Sequence, residues 1–417
     1  EAIFSDNSGL ILTSSGDAAS LWSVMNPDEP VHTLRHEAEI TSAVFSADDS
    51  RVLTSANDTT ARLWDAKTGR LLQTFGHGVV DLDGVDDTSV SAAIFMDDEK
   101  LVLTAGMFGI WVWDAGTGKV VRKFRGRSPA VSADRLHWLT WDGKRARLWN
   151  VRRDEPLRTF KADLDFHGAV LSAGGAGERP PALRIVTWNY DGYYGRGAHG
   201  RAYLWDADHD EPIQTFWHDD YVHGAALVHD ETRVLTFSRD GSVRLWDTEQ
   251  KQPPRILRHR HAIERAMLAP GGDALLAWTR DGTARLWGLA EKRPDEPLRV
   301  FEHDGRPLSA RLSPDGSRVL AYSTYGDTIR LWDVERQKPL RTFRLPVDVD
   351  GTALSPTAKR LFAFADDHGA WVWDVDKPEP LLTIEKKKWF SHPLFNADGT
   401  RLFVWTSEQA WLLDVER

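Results

Sequence analysis

A tryptophan recurs along the whole chain within the same short sequence pattern. The pattern places an apolar residue before the tryptophan and, in most copies, an aspartate after it. The copies are centred on Trp22, Trp64, Trp113, Trp149, Trp205, Trp246, Trp287, Trp332, Trp373 and Leu413. Neighbouring copies lie 36 to 56 residues apart. Self-similarity at such a period is the signature of stacked structural repeats, so we expect ten repeated units.

Each repeat contains four short apolar runs separated by turn residues. In the second repeat they are 40–45, 51–55, 61–64 and 71–75. Runs of about five residues bounded by turns predict β-strands joined as hairpins, which we name a, b, c and d in chain order. No window has the 3.6-residue period of an amphipathic helix. We therefore predict an all-β protein whose small sheets must stack on one another to bury both of their apolar faces.

The chain resembles the WD-repeat family over essentially its whole length. Besides the Trp-Asp pairs, two repeats contain four polar residues with the spacing of the hydrogen-bonded tetrad typical of that family. These residues are His218, Ser238, Asp240 and Trp246 in the sixth repeat, and His259, Thr279, Asp281 and Trp287 in the seventh. The second repeat keeps the histidine, aspartate and tryptophan but has Ala56 at the hydroxyl position. The resemblance implies a β-propeller of four-stranded blades in which the tetrads are structural ties rather than catalysts.

The resemblance also predicts that residues 1–417 form one WD-repeat propeller. Its approximate units are 1–36, 37–77, 78–126, 127–162, 163–217, 218–258, 259–302, 303–344, 345–385 and 386–417. Ten sets of strands a, b and c can be counted, but only nine d segments. The ring of blades can close in two ways. We favour a single ring of ten blades, whose last outer strand comes from residues upstream of the first residue. The alternative is a seven-bladed ring of units four to ten, with 120–124 as its missing strand, plus three further blades.

Composition excludes several classes of protein. The 52 lysines and arginines stand against 62 aspartates and glutamates, a formal net charge of −10, so we expect neither a nucleic-acid nor a membrane partner. The chain has no cysteine, which excludes disulfides, thiolate metal sites and a cysteine nucleophile. No apolar run reaches the roughly 18 residues of a membrane span. We expect a cytoplasmic protein.

Motifs for catalysis or cofactor binding fail on their context. The glycine-rich stretch 195–200 spells a dinucleotide fingerprint, but a predicted strand follows it instead of a helix. The acidic segment 81–87 has Ala92 where a calcium loop needs a bidentate carboxylate. No Ser/His/Asp or paired-carboxylate arrangement has supporting spacing. We therefore expect no catalytic residue, no cofactor and no metal, and the protein is not expected to be an enzyme.

A partner-binding surface is predicted at one end of the sheets. In a propeller, the d–a and b–c connections share one face, which we name the top face. The resemblance implies that the residue before strand a and the residue before the turn aspartate contact partners. With the expanded b–c loop of the fifth repeat, these positions give Glu39, Asn57, Asp165, Tyr193, Tyr194, Arg196, Tyr221, Arg239, Arg280, Arg306, Asp348 and Trp389. Tyrosine, tryptophan and arginine are frequent interface anchors, and long loops on a rigid scaffold often bind ligands.

Two functions follow from these expectations. The first is a non-catalytic scaffold whose top face binds one or more protein or peptide partners of unknown identity. The alternative is a sensor or regulatory module of a larger bacterial signalling protein, in which an N-terminal nucleotide-switch, kinase or protease domain precedes the propeller. An enzyme acting from the propeller axis has the least support, because the inward positions of strand a do not converge on one chemical constellation.

Replacing Trp246 tests the repeat interpretation. The Trp246→Ala variant loses a large side chain predicted to lie in the core, so its free energy of unfolding should fall by roughly 3–5 kcal/mol. Thermal denaturation measures the loss, and an unchanged melting temperature would contradict the prediction.

Overall fold

A computed structural model describes most of the chain. The described residues are 2–5, 9–25, 29–77, 89–106, 109–124, 127–132, 134–172, 183–189, 199–228, 231–249, 253–279, 281–289, 296–303, 308–323, 326–336, 338–366, 368–385, 393–396, 398–405 and 410–415. They divide into two compact units. One comprises Glu1–Ile185, Trp205–Pro212 and Ser407–Trp411, and the other comprises Val186–Leu204, Ile213–Thr406 and Leu412–Arg417.

The described residues contain 39 strands and no helix. The first five sheets contain β1 (Ala2–Phe4), β2 (Leu10–Ser15), β3 (Ala18–Ser23), β4 (His32–Arg35), β5 (Ile40–Phe45), β6 (Arg51–Ala56), β7 (Thr60–Asp65), β8 (Leu71–Gly76), β9 (Val90–Met96), β10 (Leu101–Gly106), β11 (Ile110–Asp114), β12 (Val120–Phe124), β13 (Arg127–Val131), β14 (His137–Asp142), β15 (Arg145–Asn150), β16 (Arg158–Lys161), β17 (Phe166–Leu171), β18 (Arg184–Asn189), β19 (Gly200–Asp206) and β20 (Gln214–His218).

The remaining sheets follow the same scheme. They contain β21 (Val222–Val228), β22 (Arg233–Ser238), β23 (Ser242–Asp247), β24 (Arg255–Arg258), β25 (Ile263–Leu268), β26 (Ala274–Thr279), β27 (Thr283–Gly288), β28 (Arg299–Glu302), β29 (Leu308–Leu312), β30 (Arg318–Ser323), β31 (Thr328–Asp333), β32 (Arg341–Arg344), β33 (Gly351–Leu354), β34 (Arg360–Ala365), β35 (Gly369–Asp374), β36 (Pro380–Ile384), β37 (Leu394–Phe395), β38 (Arg401–Trp405) and β39 (Ala410–Asp414). No helix of the described residues is long and apolar enough to span a bilayer.

The strands of each sheet pair in chain order, as predicted. Nine sheets have the order a-b-c-d, and the tenth has three strands among the described residues. The prediction of an all-β fold built from four-stranded propeller blades is confirmed. The proposed transfer of 120–124 to the tenth repeat is wrong, because β12 pairs with β11 in the third sheet, with Ile110 opposite Phe124. A tight turn, in which the Gly118 amide donates to the Asp114 carbonyl at 2.9 Å, joins the two strands locally.

Strand b is buried on both faces of its sheet. In the second sheet, Val52 and Leu53 point to opposite faces, and each has no exposed surface. Val52 packs with Leu12 and Leu21 of the first sheet, whereas Leu53 packs with Val102 of the third. Successive sheets therefore stack face to face, which is why the apolar runs of strand b are continuous instead of alternating.

Aromatic ring pairs join neighbouring sheets at six places among the described residues. The tryptophan of strand c packs against the phenylalanine of strand d in the preceding sheet, with ring centroids 4.3 to 5.6 Å apart. The pairs are Phe75–Trp113, Phe124–Trp149, Phe160–Trp205, Phe216–Trp246, Phe301–Trp332 and Phe343–Trp373. Tilted rings at these separations are a favourable aromatic arrangement.

A ladder of polar side chains also joins neighbouring sheets at the c–d end. Two positions before its buried phenylalanine or leucine, strand d has a side chain that donates to a backbone carbonyl of the next sheet, at the end of strand c or in the c–d connection. The pairs are His32 with Lys67, Gln73 with Gly116, Arg122 with Val151, Arg158 with Ala207, Arg255 with Gly288, Arg299 with Glu335, and Arg341 with Val375. We name this set the inter-sheet ladder. The sequence did not predict it.

Shortening one rung of the inter-sheet ladder tests its contribution. Arg341 donates to the Val375 carbonyl at 2.9 Å and to the Asp376 carbonyl at 2.8 Å. The Arg341→Met variant keeps the apolar stem but loses both hydrogen bonds, so the free energy of unfolding should fall by about 1–3 kcal/mol. The control is Arg336→Met, because the Arg336 side chain is 69% exposed and its ion pair with Asp333 spans 3.9 Å. Equal denaturation midpoints for the two variants would contradict the assignment.

Candidate functional site

A buried hydrogen-bond relay lies in the sixth sheet, at the end nearest the predicted rim. The Trp246 Nε1 donates to Thr236 Oγ1 at 2.9 Å, and the same hydroxyl lies 2.7 Å from His218 Nε2. On the other side of the ring, His218 Nδ1 lies 2.9 Å from Asp240 Oδ2. Because the carboxylate accepts, Nδ1 carries the proton and Nε2 accepts from the threonine. The relay therefore runs from the indole through Thr236 and His218 to Asp240.

The shared hydroxyl belongs to Thr236, and its assignment to Ser238 is wrong. In the β22–β23 ladder, Trp246 lies opposite Val234, so Thr236 is its diagonal neighbour on the same face. Ser238 is two residues further along that face and contacts the d–a connection instead. Its hydroxyl donates to the Asp220 carbonyl at 3.0 Å and accepts from the Asp240 amide at 3.1 Å.

The ionisation of the relay follows from burial and its hydrogen bonds. Burial lowers the pKa of His218, although the neighbouring Asp240 carboxylate opposes this effect, so the imidazole is neutral near pH 7. Burial alone would raise the pKa of Asp240, but hydrogen bonds from His218 and Ser242 hold that pKa well below its usual range. A neutral imidazole held by an ionised carboxylate is a fixed structural tie.

The second sheet contains a complete relay, so the interpretation that Ala56 interrupts it is wrong. Thr54 takes the role of Thr236. The His36 Nε2 and Trp64 Nε1 atoms lie 2.7 and 2.8 Å from Thr54 Oγ1, and His36 Nδ1 lies 2.8 Å from Asp58 Oδ2.

The seventh sheet has lost the relay that its sequence predicts. Ala277 occupies the position of Thr236, and His259 Nε2 donates to the Ala277 carbonyl at 3.1 Å. Thr279 instead donates to the Asp281 carboxylate in the b–c turn. The Trp287 Nε1 has no hydrogen-bond partner in the part of the chain that the structure describes. Burial, together with the charge of Arg285, lowers the pKa of His259 to about 4.

The threonine of the relay has a signal in the sequence that the tetrad spacing does not include. A Leu-Thr pair precedes the tryptophan of strand c by nine or ten residues in five repeats, at Thr13, Thr54, Thr104, Thr140 and Thr236. In each case the indole donates to the threonine hydroxyl at 2.8 to 3.0 Å. The hydroxyl position is therefore two residues earlier than the sequence alignment placed it.

The relay of the sixth sheet supports two rim residues that the sequence predicted. The Arg239 amide donates to the Tyr221 carbonyl at 2.9 Å, which ties the b–c turn to the d–a connection. The Arg239 guanidinium carbon lies 5.9 Å from the centroid of the Tyr221 ring, within the range of a cation–π interaction. Tyr221 is half-buried and Arg239 is exposed. We name these two residues the rim pair.

The other predicted rim residues divide into two groups. Glu39, Asn57, Asp165 and Asp348 are exposed, and the Asn57 amide donates to the Glu39 carbonyl at 2.9 Å in the second sheet. The second sheet thus repeats the backbone tie of the rim pair. The remaining six lie outside the described residues: Tyr193, Tyr194, Arg196, Arg280, Arg306 and Trp389. The described residues contain no group of three or more histidines, aspartates and glutamates that could hold a metal ion.

Comparison with known proteins gives partial sequence matches. Residues 28–65, 210–247 and 295–333 match the WD40 family model, described as "WD domain, G-beta repeat". Over 78 residues, the chain is 37% identical to the WD repeat-containing protein WDS homolog of Arabidopsis thaliana. That match spans 18% of this chain and 15% of the relative's length.

Comparison of structures extends over most of the chain. A crystal structure titled as the eukaryotic initiation factor superposes with a TM-score of 0.60 and 13% identity, covering 90% of this chain and 97% of that one. At this identity the likeness shows the fold alone. The C-terminal WD40 domain of Sif2 aligns with a TM-score of 0.47 and 14% identity, covering 85% of this chain and 89% of that domain.

Two single substitutions in strand b of the sixth sheet test the corrected relay. Thr236→Val preserves shape but leaves the buried Trp246 Nε1 and His218 Nε2 without their shared partner. An unpaired buried polar group costs about 1–3 kcal/mol, so this variant should lose about 2–5 kcal/mol of unfolding free energy. Ser238→Ala removes hydrogen bonds only to the connection and the turn, and should cost about 1 kcal/mol. Chemical denaturation of both variants measures which one loses more unfolding free energy. A larger loss for Ser238→Ala than for Thr236→Val would contradict the assignment.

Proposed function

We propose, from the premise that this chain is a WD-repeat β-propeller, that it is a non-catalytic scaffold binding a protein or peptide partner at its top face. WD-repeat propellers are generally protein-interaction scaffolds. The partner surface of this chain is proposed from its own residues. The observation that carries the proposal is the rim pair, Tyr221 and Arg239.

The rim pair supports binding because it is organised before a partner arrives. The backbone hydrogen bond between Arg239 and Tyr221 and the ring–guanidinium contact restrict both side chains. Ordering a flexible side chain on binding costs about 0.5–1.5 kcal/mol, and much of that cost is already met here. Tyrosine and arginine are also the residue types that dominate binding energy at interfaces.

The surroundings of the rim pair support a polar contact surface. Asp219 is exposed beside the pair, and its carboxylate lies 3.4 Å from Arg244. Arg244 also donates to the Trp217 carbonyl at 2.7 Å and to Asp240 at 3.1 Å, so its guanidinium is held in a fixed position near the rim. A partner with an acidic group can reach the exposed Arg239 without breaking these bonds. The buried relay beneath supplies rigidity.

The same proposal includes a cytoplasmic location, which is compatible with a chain that has no cysteine. The sensor alternative, a regulatory module that follows a nucleotide-switch, kinase or protease domain in a bacterial protein, is a hypothesis about the full reading frame. Sequencing that frame distinguishes it from a free-standing scaffold, and the rim pair serves the same binding role in either case.

Partner binding can be measured with one rim variant and one control. The partner is first captured by photo-cross-linking from a reactive phenylalanine derivative at position 221 in the full chain, and is then purified. Calorimetry of the purified partner should show about tenfold or greater weakening for Arg239→Glu, equivalent to about 1.4 kcal/mol or more. Arg336→Glu, an exposed charge reversal in a c–d connection, should bind as the unmodified chain does. Equal affinities for the two variants would overturn the proposed surface.

A further inference from the structure

Exposed aliphatic side chains are grouped on the outer strands of the second and third sheets. Leu71 and Leu72 begin β8 and are 41% and 39% exposed. Val120 and Val121 begin β12 and are 41% and 44% exposed. These are four of the nine large apolar side chains that are exposed among the described residues. Single exposed apolar residues are ordinary on a protein surface, whereas a group of them marks an interaction site.

A β-bulge directs these side chains outward in both sheets. Leu72 is an extra residue of β8, because its neighbours Leu71 and Gln73 pair with successive residues of β7. Val121 is the extra residue of β12 in the same way. A bulge bends its strand and re-aims a side chain, often at the edge of a sheet. At the same place in the eighth sheet, three residues before the buried phenylalanine of strand d, Leu340 instead packs against the core.

The two aliphatic pairs lie next to each other. Gln73, which follows Leu72, donates from Nε2 to the Gly116 carbonyl in the c–d turn of the third sheet at 2.7 Å. A Cβ atom at Gly118 would lie 2.7 Å from Gln73 Oε1, so this glycine, with a φ of +68°, lets the turn approach β8. All of these residues belong to one compact unit. We name the two pairs, 71–72 and 120–121, the aliphatic patch.

A cation precedes each aliphatic pair. Arg70 and Lys119 follow the turn glycines of the second and third sheets, and both side chains are exposed. Neither forms an ion pair within the described part of the chain. Both lie at the start of a strand, whereas the segments 78–88 and 125–126, outside the described residues, follow the other ends of β8 and β12. Two neighbouring sheets thus repeat one chemical unit, a cation followed by two aliphatic side chains.

The carboxylates of the same two turns already have partners. Asp65 accepts from the amide and the hydroxyl of Thr68, both at 2.8 Å. Asp114 accepts from the same two groups of Thr117 at 2.7 and 2.8 Å. Both carboxylates are therefore held within their turns, and the two cations stay accessible to acidic groups of another molecule. Complementary charge orients a partner, and burial of apolar surface supplies affinity.

We propose that the aliphatic patch binds an acidic segment of another protein that carries adjacent aliphatic side chains. The aliphatic side chains of the segment pack on the patch, and its carboxylates pair with Arg70 and Lys119. The observations favour a protein segment over an anionic membrane, because the patch has no aromatic residue and the chain has a formal net charge of −10. The patch shares no residue with the rim pair, so it is a second surface, independent of the proposed top-face function.

Peptide selection tests the chemistry of the partner. A library of random short peptides is selected on the full chain and depleted on the full-length double variant Leu72→Ser/Val121→Ser. The enriched peptides should combine aspartate or glutamate with adjacent leucine, isoleucine or valine. Failure to enrich any peptide that distinguishes the two proteins would overturn the proposal. Enrichment of peptides without acidic residues would also overturn it, because the two cations would then have no role in recognition.

Calorimetry with the most enriched peptide locates its binding. Arg70→Glu, Lys119→Glu and Leu72→Ser should each weaken the affinity by about tenfold or more. The controls are Val300→Ser, an aliphatic side chain 41% exposed on strand d of the seventh sheet, and Arg336→Glu in a c–d connection. Both controls should bind as the unmodified chain does. All five side chains are exposed, so every variant should keep the melting temperature. Equal affinities for Leu72→Ser and Val300→Ser would overturn the assignment.

Other occupants of the patch give different results. The full chain should not sediment with vesicles of equal parts phosphatidylcholine and phosphatidylserine; sedimentation that Lys119→Glu abolishes would overturn the proposal in favour of a membrane. Analytical ultracentrifugation should show no self-association that Leu72→Ser removes, since that result would assign the patch to a second copy of the chain. Arg239→Glu, which alters the rim pair, should leave the affinity for the peptide unchanged. The two proposed surfaces can therefore fail separately.

Discussion

The packing of an indole against the phenyl ring of the preceding sheet is the contact on which the structure depends. A sheet of four short strands has two apolar faces and cannot bury either of them alone. The ring pairs, such as Phe343 with Trp373 at 5.4 Å, bring the outer strand of one sheet onto the third strand of the next. The same contact occurs six times among the described residues, each time between strand d of one sheet and strand c of the next.

Buried polar groups in this packing are joined by shared hydrogen bonds. The relay from Trp246 to Asp240 passes through one threonine hydroxyl that serves two buried nitrogens, and the charged carboxylate lies at its outer end. The inter-sheet ladder satisfies backbone carbonyls at the opposite end of the sheets. The seventh sheet shows what an interrupted relay costs, since Trp287 Nε1 has no partner in the described region and His259 turns to a backbone carbonyl.

The rigid interior allows the exposed connections to differ. The rim pair is tied by a backbone hydrogen bond, and the second sheet repeats that tie between Asn57 and Glu39 with different side chains. The same backbone hydrogen bond thus presents an arginine and a tyrosine in the sixth sheet, and an asparagine and a glutamate in the second.

The sequence by itself determined the all-β class, the four strands of each repeat and the stacking of the sheets, because the tryptophan period and the apolar runs are local signals. It also identified the rim pair from its position in the repeat. Only the tertiary structure decided between Thr236 and Ser238, since both hydroxyls lie on one face and the register of β22 against β23 selects the nearer one. The same holds for the inter-sheet ladder, whose backbone acceptors leave no mark in the sequence.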